Sequence, residues 1–193
     1  PLIKKSAQKN NNENIAVGTM CNNSCIMCTT LRTKEVQVKQ KNHPKEDIFR
    51  QIDVLDEPAQ ISITGGEPTI RKDLPEIIKH IHKKHPNTRI ILLSNGRRFY
   101  YKSYAKKMMM LGVDEFKIAL HAHCKELHDF ITRSKGSFQQ TISGLKNLLE
   151  LGVNVEIRVV IHGMNYPFLP EISQLIKKNF KKFLIVFLYF DTI

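Results

Sequence analysis

The chain has 193 residues, with 30 Lys and Arg against 18 Asp and Glu, and a formal net charge of +12. That length suits one domain with a sizeable core. The longest apolar run, Phe183–Phe190, is far too short to cross a bilayer, and four cysteines with no secretory signal give no disulfide framework. The basic excess does not by itself make a nucleic-acid surface. Pairs such as Lys83-Lys84, Lys106-Lys107 and Lys177-Lys178 are dispersed over helical segments, and no aromatics are interleaved with them. Nucleic acid stays open as a partner and is not favoured.

In chain order, residues 1–14 are rich in Lys, Asn and Gln and read as a flexible basic leader, with 15–193 as one core domain. Ile15–Met20 is the first expected strand, and it runs into Cys21-Asn22-Asn23-Ser24-Cys25-Ile26-Met27-Cys28. Thiols this close must converge, and convergent thiolates serve a soft metal centre, either zinc or an iron–sulfur cluster. Three ligands rather than four leave one coordination position for something that reacts. Zinc sites usually pair two knuckles, and no second knuckle follows. Cys124 lies far downstream, beside His121 and His123. A Cys3His zinc site remains an alternative.

A helix is expected near Lys45–Leu55, then a strand at Gln60–Thr64 that leads into Gly65-Gly66-Glu67-Pro68-Thr69. Two glycines at a strand's end let the backbone turn and approach a ligand. Pro68 biases Glu67 toward an extended conformation, so carbonyls and a carboxylate can face a cation such as an ammonium group.

Helices follow near Asp73–His85, Tyr100–Leu111, Ser137–Leu151 and Pro167–Asn179, and strands at Arg89–Ser94, Glu115–His121, Val153–Ile161 and Phe183–Phe190. Asp73, with Glu76 three residues on, and Ser137 are expected N-caps, and Gly112 and Gly152 expected stops. Met108-Met109-Met110 reads as core filler, and His80, His82 and His85 as a basic helix end. Six strand–helix units imply an α/β fold with a parallel sheet and right-handed crossovers. Ligand sites then lie at the C-terminal ends of the strands, where both motifs fall.

The pairing of Cys21-x3-Cys25-x2-Cys28 with Gly65-Gly66-Glu67-Pro68 resembles the radical S-adenosylmethionine (SAM) superfamily. The resemblance implies an open, six-stranded partial (β/α)6 TIM-like barrel. It also implies that Cys21, Cys25 and Cys28 hold three irons of a [4Fe-4S] cluster, with SAM chelating the fourth iron. Reductive cleavage of SAM then gives a 5′-deoxyadenosyl radical that abstracts hydrogen from a substrate. It places Met27, Gly65, Gly66, Glu67 and Pro68 at the cofactor. Ser94 and Asn95 match a Ser-Asn-Gly beside SAM, and Arg133 matches a position that contacts the cofactor carboxylate. His121 stands where relatives often carry a serine, and it too is a cofactor candidate. An electron donor such as a flavodoxin or ferredoxin is expected. The sequence stops just past strand six and opens on Pro1, so we read it as a core truncated from a longer protein.

His128-Asp129, Gly136-Ser137-Phe138 with Thr141, Gly144 and Asn147, and Val155–His162 resemble the maturases of the His-Xaa-Ser peptide-modification system. This implies a ribosomally made peptide, or another macromolecule, as substrate. The alternatives are a zinc-stabilised, non-catalytic binding module and an RNA-modifying radical SAM enzyme. Free thiols fit a cytoplasmic setting. No general acid, base or radical relay is assigned, and Cys124, His123 and His162 receive no role.

Overall fold

In the computed structural model, residues 11–29 and 41–189 are described. Six strands form one sheet: β1 (Asn12–Ala16), β2 (Gln60–Thr64), β3 (Arg89–Ser94), β4 (Glu115–Ala119), β5 (Asn154–Ile161) and β6 (Leu184–Tyr189). They lie side by side in sequence order, each neighbouring pair parallel, with β1 and β6 at the two edges. The sheet is therefore an open partial barrel. Its helices are α1 (Lys45–Asp53), α2 (Leu74–Lys84), α3 (Lys102–Met110), α4 (Lys125–Thr132), α5 (Ser137–Leu151) and α6 (Leu169–Asn179).

Alternation along the strands separates two environments. Ile61, Ile63, Ile90, Leu92, Phe116, Ile118, Val155, Ile157 and Val159 are buried in the hydrophobic core. Helix residues Ile77, Ile81, Leu145, Leu148, Ile172 and Ile176 complete it. The intervening residues Thr64, Leu93, Lys117, Ala119, Arg158, Val160 and Leu188 line a cleft instead. One face of the sheet is thus oil and the other is a site.

Several boundaries differ from expectation. The first strand is Asn12–Ala16 rather than Ile15–Met20. As an edge strand with one exposed face, it needs backbone pairing to Gln60–Thr64 more than apolar side chains, so Asn12-Glu13-Asn14 suffices. The chain leaves the sheet at Gly18, which bridges to Asn42. Residues 1–10 of the expected leader, and Phe190, lie outside the described residues. β4 ends at Ala119, short of His121. Helix α4 was not expected: at eight residues, its inward face mixes His128 and Thr132 with Ile131 and gives no apolar stripe.

The caps also differ. Asp73 caps nothing with its side chain, because Arg71 holds it through Nε–Oδ1 at 2.9 Å and Nη2–Oδ2 at 2.6 Å. Gly136, not Ser137, is the N-cap of α5. The orphan amides there go to Asp129 of α4, which accepts from Gly136 N at 2.6 Å and Phe138 N at 2.8 Å. Gly112 and Gly152 do end α3 and α5.

Candidate active site

The loop after β1 carries the cysteines, and it is pinned from three sides. Ser24 N donates to Thr132 O at 2.9 Å and Ile26 N to Ile131 O at 3.0 Å, so the open carbonyls of α4 receive the loop. The Arg97 guanidinium donates to Asn22 O, to Asn23 Oδ1 at 2.6 Å and to Ser134 Oγ at 2.8 Å. Asn95 Nδ2 donates to Asn22 Oδ1 at 2.7 Å.

Cys21, Cys25 and Cys28 are free, half-buried thiols that line one cleft. Burial, against the opposing Asn23 N–H, pushes the Cys21 thiol up to about 11. Burial, then the neighbouring Cys21 and Cys28, push Cys25 up to about 12. Thiols so placed ionise readily only beside a cationic centre, which fits a metal group. Among the described residues no group of three His, Cys, Asp or Glu side chains closes around a single ion. Zinc needs sulfurs about 2.3 Å from one point. A cluster binds each thiolate to a different iron, and three thiols lining one cleft fit that donor set.

Gly65 and Gly66 run against the chain leaving β1. A Cβ on Gly65, whose φ is +131°, would lie 2.5 Å from Gly18 O, and one on Gly66 would lie 2.2 Å from Met20 O. Gly66 N donates to Gly18 O and Glu67 N to Met20 O, both at 2.8 Å, which fixes this turn beside the cysteine loop. Glu67 is extended before Pro68, as expected, and buried. Its Oε1 accepts Thr69 N at 3.0 Å, Thr69 Oγ1 at 2.6 Å and Ser94 Oγ at 2.8 Å, and its Oε2 accepts Asn95 N at 2.6 Å. Burial raises its pKa, and these donors oppose the shift. The carboxylate therefore ties the turn to β3, while the Gly65 and Gly66 carbonyls accept no hydrogen bond from the described residues.

Cys21, Cys25, Met27, Cys28, Gly65, Gly66, Glu67, Ser94, Asn95 and His121 all line this cleft of about 280 Å³. Pro68 is buried behind it and opens a short 3-10 turn. Arg133 is not in the lining; it is exposed at the C-terminus of α4, with φ of +49°. Arg97 is the arginine that engages the loop.

Two histidines, His121 and His128, line the cleft. Burial, then the charges of His128 and His162, push His121 down to about 3. Burial pushes His128 down to about 4, with Asp129 opposing. His128 Nδ1 lies 3.0 Å from Ser137 Oγ, which donates to Asp129 Oδ1 at 2.9 Å. Burial works against the Asp129 charge, but its donors outweigh it and hold the carboxyl below the usual range. An ionised Asp129 makes Ser137 the donor there, so Nδ1 carries the proton of His128. His128 Nε2 and His121 Nδ1 have no partner among the described residues. His128, Thr132, Lys117 and Arg158 line the cleft although none was a candidate site residue; His128 and Arg158 entered the sequence reading only through the maturase resemblance. The signal for Lys117 and Arg158 was charge alternating with apolar residues, Glu115-Phe116-Lys117 on β4 and Glu156-Ile157-Arg158 on β5.

The sequence signature of the Radical SAM superfamily matches residues 15–176. GTP 3′,8-cyclase of Nautilia profundicola is 30% identical over 167 residues, covering 85% of this chain and 52% of that protein. Fe-coproporphyrin III synthase of Methanosarcina barkeri is 28% identical over 161 residues, covering 82% and 39% respectively. The chain thus spans about half or less of the length of these curated relatives. In fold it is similar to anSMEcpe with bound AdoMet and Cp18Cys peptide, at a TM-score of 0.71 and 17% identity, over 92% of this chain and 50% of that one. Among the described residues no helix is long and apolar enough to cross a membrane. With a cysteine loop and a glycine turn meeting at the open end of a six-stranded parallel barrel, the chain belongs to the radical SAM superfamily, enzymes whose cofactors are an iron–sulfur cluster and SAM.

Proposed function

We propose that this chain is the catalytic core of a radical SAM enzyme that modifies a ribosomally made peptide. One observation carries the site assignment: Cys21, Cys25 and Cys28 share a single cleft with the Gly65-Gly66-Glu67 turn. Cys21, Cys25 and Cys28 are assigned to three irons of a [4Fe-4S] cluster. When bound, the cluster supplies an electron that cleaves SAM to methionine and a 5′-deoxyadenosyl radical, which takes a hydrogen atom from the substrate.

The protein's share is placement. The Gly65 and Gly66 carbonyls, which accept no hydrogen bond from the described residues, suit the SAM ammonium, which needs acceptors. Ser94 and Asn95 couple that turn to the cysteine loop through Glu67 and Asn22, so a shift in either motif reaches the other. Met27, His121 and the half-buried strand residues keep water from the cleft. Arg133 and Pro68 are assigned to the cofactor on resemblance alone.

A peptide substrate is supported by the sequence resemblance around His128-Asp129 and Gly136–Asn147. A flavodoxin or ferredoxin as reductant, and a cytoplasmic setting, follow from the free thiols and the need for low-potential electrons. The test is anaerobic reconstitution with iron and sulfide, then assay of 5′-deoxyadenosine from SAM under dithionite. The chain should form it, and Cys21→Ala, Cys25→Ala and Cys28→Ala should each lose both cluster and product. A Cys→Ala variant that retained the cluster and turned over would overturn the assignment of that thiol.

A further inference from the structure

The inner wall of the barrel holds a ladder of charge. Arg89 of β3 pairs with Glu115 of β4 at 3.1 Å. Lys117 of β4 stands 3.6 Å from Glu115 and 3.4 Å from Glu156 of β5, and Arg158 of β5 donates through Nε to Glu156 Oε1 at 2.5 Å. Three cations thus share two carboxylates, leaving one positive charge in excess.

The ladder is polarised along the barrel. Glu115, Glu156 and Arg89 line a cavity at the N-terminal ends of the strands. Lys117 and Arg158 line the cleft at the other end, with the cysteines. Charges are held inside a barrel only where something compensates them. Here Arg89 and both carboxylates lie away from the cleft, while Lys117 and Arg158 lie toward it. Among the described residues Glu67 is the one carboxylate lining the cleft, and protein donors already occupy it.

Arg158 uses only Nε on Glu156, and its two terminal nitrogens meet no acceptor among the described residues. The Lys117 ammonium makes no hydrogen bond there, only the two longer ion pairs. A guanidinium fork beside an ammonium matches a planar or tetrahedral oxyanion.

The geometry points to Lys117 and Arg158 as a subsite for an oxyanion of the substrate, a carboxylate or a phosphate, held on the inner wall beside the radical-generating centre. This rests on the radical SAM reading of the cleft and deepens it. An acidic side chain or C-terminus of a peptide brings a carboxylate, and a nucleotide brings a phosphate. The subsite anchors the substrate by a remote charged group, so the wall places the hydrogen to be abstracted.

The test is calorimetric titration of the reconstituted chain, with and without SAM, using glutarate and inorganic pyrophosphate as probes. Saturable binding of one of them is expected with SAM present, and the better probe identifies the oxyanion. Lys117→Gln and Arg158→Gln should each weaken that probe at least tenfold, with Arg158→Lys recovering part of the loss. The double variant Glu156→Gln/Arg158→Gln removes an opposite-charge pair without stranding the carboxylate, and it should lose the probe while keeping a cooperative melt. No saturable binding of either probe overturns the proposal. Equal loss of probe and SAM affinity in Arg158→Gln also overturns it, because the pair then holds the SAM carboxylate. Probe binding is read apart from turnover. A chain that binds the probe but never forms 5′-deoxyadenosine refutes the radical reading and leaves the subsite standing.

Discussion

The two halves of the cleft are built differently. The β1–β3 half is made of backbone: glycines without side chains, amides capping amides, and polar side chains that bond one another. The β4–β5 half is made of side chains: Lys117, Arg158, His121 and His128 line it, and Arg158, His121 and His128 each keep a nitrogen with no partner among the described residues. The difference matches the division of labour in a cofactor enzyme. A cofactor shared by a whole superfamily can be held by main chain, which any sequence supplies. A substrate that varies among members is met by side chains, which each member can change.

The backbone half should be the less forgiving. Gly66→Ala puts a Cβ 2.2 Å from a main-chain oxygen that cannot swing away, whereas a Cβ at Gly163 meets nothing within 4 Å. We expect the first to destabilise the chain by about 3 kcal/mol or to prevent folding, and the second to leave the urea midpoint unchanged. Similar midpoints for the two variants would break the comparison.

The side-chain half should reveal itself through pH. His121 and His128 are held at about 3 and about 4, below their ordinary value of 6.5. Below pH 6.5 the unfolded chain therefore binds more protons than the folded one. Stability present at neutral pH should fall as pH drops from 6.5 toward 4, by on the order of 3 kcal/mol for His128 alone if both states reach those values. Urea midpoints measured across that window should slope downward with acid, and His121→Leu should flatten part of the slope. A variant with an unchanged slope would mean that His121 is not held neutral by burial.

Two arginines sharpen the contrast further. Arg97→Lys keeps the charge but cannot span Asn22, Asn23 and Ser134 together, and it should loosen the cysteine loop and lower iron incorporation several-fold. Arg133→Ala, at an exposed position, should change stability by no more than about 0.5 kcal/mol. If Arg133→Ala nevertheless weakens SAM binding tenfold, the resemblance is right about its role and the side chain must turn inward when the cofactor binds.

The same division explains what could be read from the chain. The strand–helix alternation and both motifs were legible, because strand periodicity and close-approach glycines leave marks in local sequence, while the open six-stranded barrel came from the resemblance to the superfamily. The first strand was misplaced because edge pairing does not require an apolar pattern at Asn12–Asn14. Helix α4 was missed because a short helix that packs through His128 and Thr132 carries no oil stripe. Ser137 was read as a cap, whereas the cap comes from Asp129 on another helix, a contact no local window contains. The role of Glu67 as a brace for Ser94 and Asn95 was likewise invisible, since it depends on β3 lying beside β2. The ladder of Lys117, Glu156 and Arg158 was hidden because it depends on β4 lying beside β5, which brings Lys117 next to Glu156.

The central claim is that the cysteine loop and the glycine turn form one cofactor site. Electron paramagnetic resonance of the anaerobically reconstituted, dithionite-reduced chain, recorded with and without SAM, tests it most directly. The account predicts a [4Fe-4S]⁺ signal whose shape changes when SAM is added. A chain that holds zinc and forms no cluster, or a cluster signal indifferent to SAM, would contradict it.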